Sequence, residues 1–434
     1  MKTQTKKNVL VISIDPFSFE SGNGKTLGNY FLGSKDLNVS QIYLSDYPID
    51  MIDGNYAHIP ELEVIKHPFR KKGKLIRTYF SPKVSTEKDI NEIPEVQLKS
   101  RIKKNPLTCL ARNFLWSFNS WKTKELREFV LSIQPDVIIL QAGDATFVFK
   151  IAYWIQKITK AKLIVHNTED FPFKKHNYLH KENGMGFLYP LFRSLLKKGY
   201  RKLSKKASLF IHNTEFLRDQ FAAKYKRVNH DYIMCSSSYK PIGIKKTDTD
   251  KWIMLYAGGT VGGKRFESLI KVSDALLSIS NKAFLKIFST DDTDDPFNKQ
   301  LIRQNTLLSP AINYDSLCRE MEISDCLLHV ENFNQYYRID RVNGFSTKIA
   351  DCLNSNKPFI IFAPKELACY RYLEKHDCAF CVDNEKDLKM VLEQIINNPN
   401  SPEVIQKIKN AKMIVEENHS LDKNIEKFNR LLLG

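Results

Sequence analysis

Trp252-Ile253-Met254-Leu255-Tyr256-Ala257, running into Gly258-Gly259-Thr260-Val261-Gly262-Gly263-Lys264, decides the fold of this chain. A short apolar run bounded by glycines is the pattern of a buried strand. The spacing of apolar residues over Phe266–Ile279 predicts a helix directly after it. Strand, glycine-rich loop and helix together form the first unit of an α/β sheet, whose ligands gather at strand C-termini. Four glycines in six positions leave backbone amides accessible, and Lys264 adds a positive charge near the helix start. That combination suits a diphosphate, because amides at a helix N-terminus and a cation both favour phosphate oxygens.

The same grammar extends in both directions. Downstream, strands are expected at Phe284–Phe288, Ile323–Leu328, Phe359–Ala363 and Ala379–Val382. Helices are expected at Tyr314–Glu322, Thr347–Asn354, Leu367–Lys375, Glu385–Asn397, Pro402–Glu417 and Leu421–Leu433. Upstream, strands Val9–Ile14, Val39–Leu44, Val137–Leu140, Lys162–His166 and Ser208–His212 alternate with helices at Thr26–Leu32, Thr123–Ile133 and Thr146–Thr159. Thr214 is placed to cap a helix over Glu215–Tyr225. Residues 47–112, with Pro60, Pro68, Pro82, Pro94 and Pro106, suggest loops and short helices. A chain of 434 residues is long for one core. The expectation is an α/β protein with two Rossmann-like domains facing a central cleft. The N-terminal domain spans 1–240, the donor-type domain 241–415, and a C-terminal helix over 416–434 returns toward the N-terminal domain. The polar stretch Ser236–Ser238, Pro241 and Lys245–Asp250 marks the linker.

Three more features carry chemistry. Gly22-Asn23-Gly24-Lys25-Thr26 looks like the end of a P-loop, but Phe19 occupies the place of the required first glycine, which argues against an NTPase. Gly22, Asn23 and Gly24 are instead expected to line the cleft as a loop. Asn343-Gly344-Phe345-Ser346-Thr347-Lys348-Ile349-Ala350-Asp351 places Ser346 or Thr347 as a helix cap and Asp351 one turn in, where a carboxylate could accept from ribose hydroxyls. Gln141-Ala142-Gly143-Asp144 and His166-Asn167-Thr168-Glu169-Asp170-Phe171-Pro172 each follow a strand, making Asp144, His166 and Asp170 candidates for acceptor or sugar contact; buried or capping roles are equally open to them.

In its second half the chain resembles the donor domain of retaining glycosyltransferases of the GT-B fold, in the large bacterial family-four group. The resemblance rests on Tyr256-Ala257-Gly258…Lys264, His329-Val330-Glu331, Phe345-Ser346-Thr347-Lys348-Ile349-Ala350-Asp351-Cys352-Leu353 and Lys357-Pro358-Phe359-Ile360, in that order. It implies donor diphosphate binding by Gly258, Gly259 and Lys264. Of the family's two glutamates eight residues apart, the second maps to Asp351 and the first to Asn343, which lacks the charge; Glu331 is an alternative acid. The resemblance implies a UDP-type donor, a saccharide or lipid-linked saccharide acceptor and cell-surface polysaccharide synthesis with retention. Lys264 and Lys348, with the amides of Gly258–Gly259 and Ser346–Thr347, are expected to stabilise the departing diphosphate, and Asp170 is the third catalytic candidate, through contact with the acceptor or the donor sugar. Asp291-Asp292 and Asp294-Asp295 suggest an acidic turn, and no obligatory metal or cofactor is expected.

Composition sets the remaining bounds. Net charge is +17, which attracts anions. Phe192–Lys206, with Arg193, Lys197, Lys198, Arg201, Lys202, Lys205 and Lys206 and with apolar Phe192, Leu195, Leu196 and Leu203, is a basic amphipathic helix suited to an anionic membrane surface or to a solvated face. The cluster Arg70–Lys74 could extend it. No nucleic-acid module is present. No run approaches the about 18 apolar residues of a membrane span. The eight cysteines are scattered; Cys378 and Cys381 form a lone CxxC, more consistent with buried thiols than a metal site. Reduced cysteines and no leader suggest the cytoplasm. Two other functions fit the same fold: a sugar-nucleotide epimerase and a non-catalytic nucleotide-sugar-binding protein.

Overall fold

A computed structural model describes residues 6–69, 77–81, 104–179, 185–244, 246, 250–261, 264–339 and 341–434. Gly262, Gly263, Arg70–Lys74 and most of the Lys245–Asp250 stretch lie outside the described residues. The chain divides into two compact units, one formed by Met1–Met234 with Asn424–Gly434 and the other by Cys235–Lys423.

Unit 1 runs β1 (Lys7–Ile12), α1 (Gly22–Asn29), β2 (Leu37–Tyr43), β3 (Gly54–His58), α2 (Glu61–Lys66), β4 (Arg77–Ser81), α3 (Pro106–Leu115), α4 (Lys124–Ile133), β5 (Val137–Ala142), α5 (Thr146–Thr159), β6 (Lys162–Asn167), α6 (Tyr189–Leu203), β7 (Leu209–His212), α7 (Glu215–Lys224) and β8 (Asn229–Tyr232). Its eight strands lie in the order β4-β3-β2-β1-β5-β6-β7-β8. All neighbours are parallel except β3 and β4. Every residue of β5 is buried, the signature of a parallel strand covered on both faces. Thr123 and Thr214 each accept from an amide in the first turn of α4 and α7, so these helices begin where a threonine can cap them.

Unit 2 runs β9 (Trp252–Ala257), α8 (Phe266–Ile279), β10 (Ala283–Ser289), α9 (Pro296–Lys299), β11 (Thr306–Pro310), α10 (Tyr314–Ile323), β12 (Cys326–Val330), α11 (Gln335–Arg338), α12 (Lys348–Asn354), β13 (Phe359–Phe362), α13 (Ala368–Lys375), β14 (Phe380–Val382), α14 (Glu385–Asn397) and α15 (Pro402–Ile414). The six strands order as β11-β10-β9-β12-β13-β14, all parallel. Relabelled by sequence within the unit, that is 3-2-1-4-5-6, the doubly wound Rossmann order. Its core joins Met254, Leu285, Leu328 and Ile360 of the sheet to Leu269, Val272 and Leu276 of α8. The last helix, α16 (Leu421–Leu433), crosses the division, and its residues from Asn424 onward complete unit 1.

Two expectations change. Residues 47–112 contain strands β3 and β4 rather than loops and short helices alone. Gly22, Asn23 and Gly24 are not a loop but the first turn of α1, capped by Ser21, whose hydroxyl accepts from the Gly24 amide. Gly24 has a packing reason: a Cβ there would come within 2.2 Å of the Pro16 carbonyl oxygen.

Candidate functional site

In a doubly wound sheet the ligand crevice opens where strand order reverses, beyond the strand C-termini. In unit 2 that point lies between β9 and β12, so the segments leaving them, Gly258–Lys264 and Glu331–Asn332, meet there. Asn332 donates to the Lys264 carbonyl at 2.7 Å and to the Glu267 carboxylate at 2.9 Å, tying the two exits together. Arg265 forms a two-pronged pair with Glu331, Nε to Oε2 at 3.1 Å and Nη2 to Oε1 at 2.7 Å, with both side chains largely buried. Burial alone would raise the Glu331 pKa, but His329 and Arg265 outweigh it and hold the carboxyl far below its usual range.

The glycine loop packs tightly. A Cβ on Gly258 would stand 2.8 Å from Lys348 Nζ and 2.9 Å from the Tyr256 hydroxyl. That hydroxyl donates to the Gly259 carbonyl at 2.8 Å. Lys348 is exposed as a whole residue, yet its ammonium turns in beneath Gly258. Burial of that group, then the Arg265 charge, lowers its pKa to about 8. Among the described residues Lys348 forms no ion pair. Lys264, at the loop's end, has a φ of 53°, and its ammonium lies over the rings of Tyr337 and Phe297, 5.3 and 5.7 Å from their centroids.

Several predicted residues take different places. Asp351 is engaged within the unit: its Oδ1 accepts from Ser237 Oγ at 2.9 Å, Ser238 N at 2.9 Å and Tyr239 N at 3.2 Å. Three donors on one oxygen tie that segment to the start of α12. Glu331 is likewise engaged, with Arg265. Thr347 stands at the N-cap of α12 but makes no cap hydrogen bond, because its φ of −60° and ψ of −25° are helical, whereas a capping residue is extended. Ser346 precedes it, and its carbonyl accepts from Ile349 N at 3.1 Å. Asn343 is half-buried in the loop before α12.

Two residues at this site stand outside the expected set: Arg265, and Asp291, which the sequence marks only as part of an acidic turn. Arg265 follows Lys264 directly, so the adjacent cation pair was the available signal. Asp291 Oδ2 accepts from Thr260 N at 2.7 Å and Val261 N at 2.8 Å, seating a carboxylate on amides of the glycine loop.

In unit 1, His166 is fully buried, and burial lowers its pKa to about 4. It stacks edge-on against Tyr30, so it is core rather than an acceptor contact. Asp144 is buried and accepts from the Tyr178 hydroxyl at 3.2 Å. Asp170 faces Lys174 at 3.5 Å. Gln141 donates to the Asn23 carbonyl at 3.2 Å, linking the end of β5 to the start of α1. On α6, Phe192, Leu196 and Leu203 are core residues rather than a membrane-facing stripe.

No protein-family model and no curated protein sequence matches the chain. Solved structures do. A sucrose-phosphate synthase from Thermosynechococcus elongatus superposes with a TM-score of 0.61 at 9% identity, covering 98% of each chain. WaaG, a glycosyltransferase involved in lipopolysaccharide biosynthesis, gives 0.58 at 13%, over 98% of this chain and 100% of its own. Anabaena HepE, in complex with UDP and glucose, gives 0.57 at 11%, over 99% and 100%. The chain has the GT-B fold. Each GT-B domain of this protein is thus a Rossmann-like unit with its own strand-exit region, and in unit 2 that region holds Arg265, Glu331, Lys348 and the glycine loop. Among the described residues no helix is long and apolar enough to cross a membrane.

Proposed function

We propose that this chain is a glycosyltransferase of the retaining, family-four type, which moves a sugar from a UDP-type donor to a saccharide or lipid-linked saccharide acceptor. One observation carries it: the Lys348 ammonium turns in beneath Gly258 at the switch point of unit 2, with no carboxylate paired to it among the described residues. A cation drawn against the loop with no carboxylate beside it among the described residues suits an anionic ligand, and a diphosphate supplies the complementary charge. HepE, of the same fold, holds UDP and glucose, and WaaG acts in lipopolysaccharide biosynthesis; both support the donor and acceptor classes chosen here.

In this proposal the amides of Gly259, Ser346 and Thr347 face the donor phosphates, with Lys264 and Lys348 as the mobile positive charges, while the Gly258 amide stays on the Phe288 carbonyl at 2.9 Å. Arg265 stays with Glu331 and keeps the local field positive; Asn343 contacts the sugar by hydrogen bonding alone. Negative charge develops on the departing diphosphate, and preorganised cations stabilise it without proton transfer. Those cations do what a divalent ion does in other transferases, so no metal enters the scheme. Asp170, Asp144 and the start of α1 belong to the acceptor side. Work on a lipid-linked acceptor would bring unit 1 to the cytoplasmic face of a membrane. There the exposed Phe187, Leu191 and Leu195 lie on one stripe, with exposed Lys198 and Lys202 beyond them.

Lys264→Gly tests the donor site. A non-glycine residue with φ near 53° is strained by roughly 1–2 kcal/mol, so the glycine variant should melt no lower than the parent. Its UDP affinity should fall by about 1–3 kcal/mol through loss of a charge-assisted contact. Unchanged UDP affinity by calorimetry would remove Lys264 from the site.

A further inference from the structure

Unit 1 carries a second concentration of positive charge that the donor site does not use. A hollow of about 340 Å³ opens beside the Pro172–Phe173 turn, and Lys175, Arg193, Lys197, Arg201 and Lys224 stand around it. Arg193, Lys197 and Arg201 recur at every fourth residue of α6 and so share a face, while Lys224 ends α7. Among the described residues no acid lines the hollow, and none of these cations forms an ion pair. The neighbouring Lys174 shows the contrast: it pairs with Glu169 at 2.9 Å and Asp170 at 3.5 Å. Arg193 Nε is buried with no hydrogen-bond partner. Lys197 feels its neighbours, its pKa lowered by partial burial and then by Arg193, Lys224 and Lys175. Phe173 and Tyr225, whose rings meet 6.1 Å apart, give the hollow an apolar wall that strengthens charge interactions beside it.

Cations gathered without counter-charge repel one another, and a donor left unpaired under cover is a standing cost. Both are relieved by one compact, multiply charged oxyanion with several acceptor oxygens. A monovalent carboxylate would neutralise too little, and a duplex would not enter a hollow of about 340 Å³. We propose that this hollow binds a phosphomonoester or diphosphate group, separately from any donor bound in unit 2. The group could reach it on a soluble molecule or as a lipid headgroup.

The test is titration of the full-length Lys264→Gly, Lys348→Ala protein with inorganic pyrophosphate at constant ionic strength. That background disables the unit 2 loop, so failure of the donor site and failure of the hollow are told apart. Adding Arg193→Gln and Lys197→Gln should weaken pyrophosphate binding at least tenfold. A control with Lys205→Gln and Lys206→Gln, which removes the same charge elsewhere, should leave it within about twofold. Without ligand, the hollow variant should melt no lower than its background, because repulsion has been removed; if it fails to fold, Lys224→Gln alone takes its place. Phosphatidylcholine vesicles carrying phosphatidic acid, compared with equal charge as phosphatidylglycerol, separate the sources. Binding that prefers phosphatidic acid and is lost in the hollow variant assigns the headgroup. Pyrophosphate binding without such vesicle binding assigns a soluble phosphate. Equal losses in hollow and control variants, or no pyrophosphate binding, would overturn the proposal.

Discussion

The Lys348 ammonium lies 2.8 Å from where a Cβ on residue 258 would stand, and burial with Arg265 nearby lowers its pKa to about 8 against an ordinary 10.5. The group is therefore charged below about pH 8 and neutral above it. If it holds the donor diphosphate, UDP affinity should fall as pH rises through 8, with one proton involved, and Lys348→Met should flatten that profile. The stability effect has the opposite sign. The unfolded chain keeps this proton up to 10.5 while the folded chain gives it up near 8, so stability should rise between those values in the parent and not in the variant. Calorimetric titration and urea unfolding across pH 7 to 10 check both. The approach of Lys348 to Gly258 agrees with the sequence expectation that the two helix starts meet, since both follow strands of one parallel sheet. For a physical reason, the sequence leaves a buried role and an acceptor contact equally open for His166. It pairs in register with Gln141 on the adjacent strand, both at strand ends where ligands gather, yet a strand covered on both faces gives no alternation from which to tell a ring turned inward.

At the scale of elements, the loop between β9 and α8 is held from two sides. Lys348 and Tyr256 press on Gly258, while Asp291 occupies the amides of Thr260 and Val261 from the end of β10. A carboxylate on those amides competes with phosphate oxygens for the same donors and repels them. Asp291→Asn keeps an acceptor for the loop but removes the charge, so UDP should bind about three- to tenfold tighter, or about 0.6–1.4 kcal/mol. Asp291→Ala leaves both amides without the acceptor and should bind UDP more weakly than the asparagine variant. A three-way comparison by calorimetry decides it, and equal affinity in all three proteins would take Asp291 out of the site. Elements with strong periodicity were legible to the residue: Thr146–Thr159, Phe266–Ile279 and Glu385–Asn397 begin and end where apolar spacing places them, the last also capped by Asn384. Of the unexpected strands β3, β4, β8 and β11, all but β3 lie at sheet edges. Asn229-His230-Asp231-Tyr232 of β8 is exposed or half-buried throughout, as edge strands tend to be, and carries no apolar run to read. Gly22 and Gly24 suggest a loop because glycine usually breaks helices; here Gly24 is needed where the helix approaches the Pro16 carbonyl too closely for a Cβ.

At the scale of the whole molecule, the chain leaves unit 1 once and returns to it. It departs at Met234 and comes back at Asn424, where the Asn424 side chain donates to the Met234 carbonyl at 2.9 Å. The returning segment of α16 then inserts Phe428 and Leu432 into unit 1, with Phe428 stacked on Tyr30 at 4.7 Å and edge-on to Phe31 at 5.3 Å. Residues some 400 apart in sequence thus share one core, so unit 1 cannot finish packing until the whole of unit 2 has been made. Phe428 is fully buried, and truncating such a ring costs about 3–5 kcal/mol. Phe428→Ala should therefore destabilise unit 1, whose sheet it packs against, and leave unit 2 intact. Hydrogen exchange reads this directly: amides of β1 and β5 should lose protection while those of β9 and β12 keep theirs. UDP binding, which the proposed function assigns to unit 2, should survive under conditions where unit 1 opens. Equal loss of protection in both sheets would mean that the two units fold as one, and that the site in unit 2 depends on a residue lodged in the other unit's core.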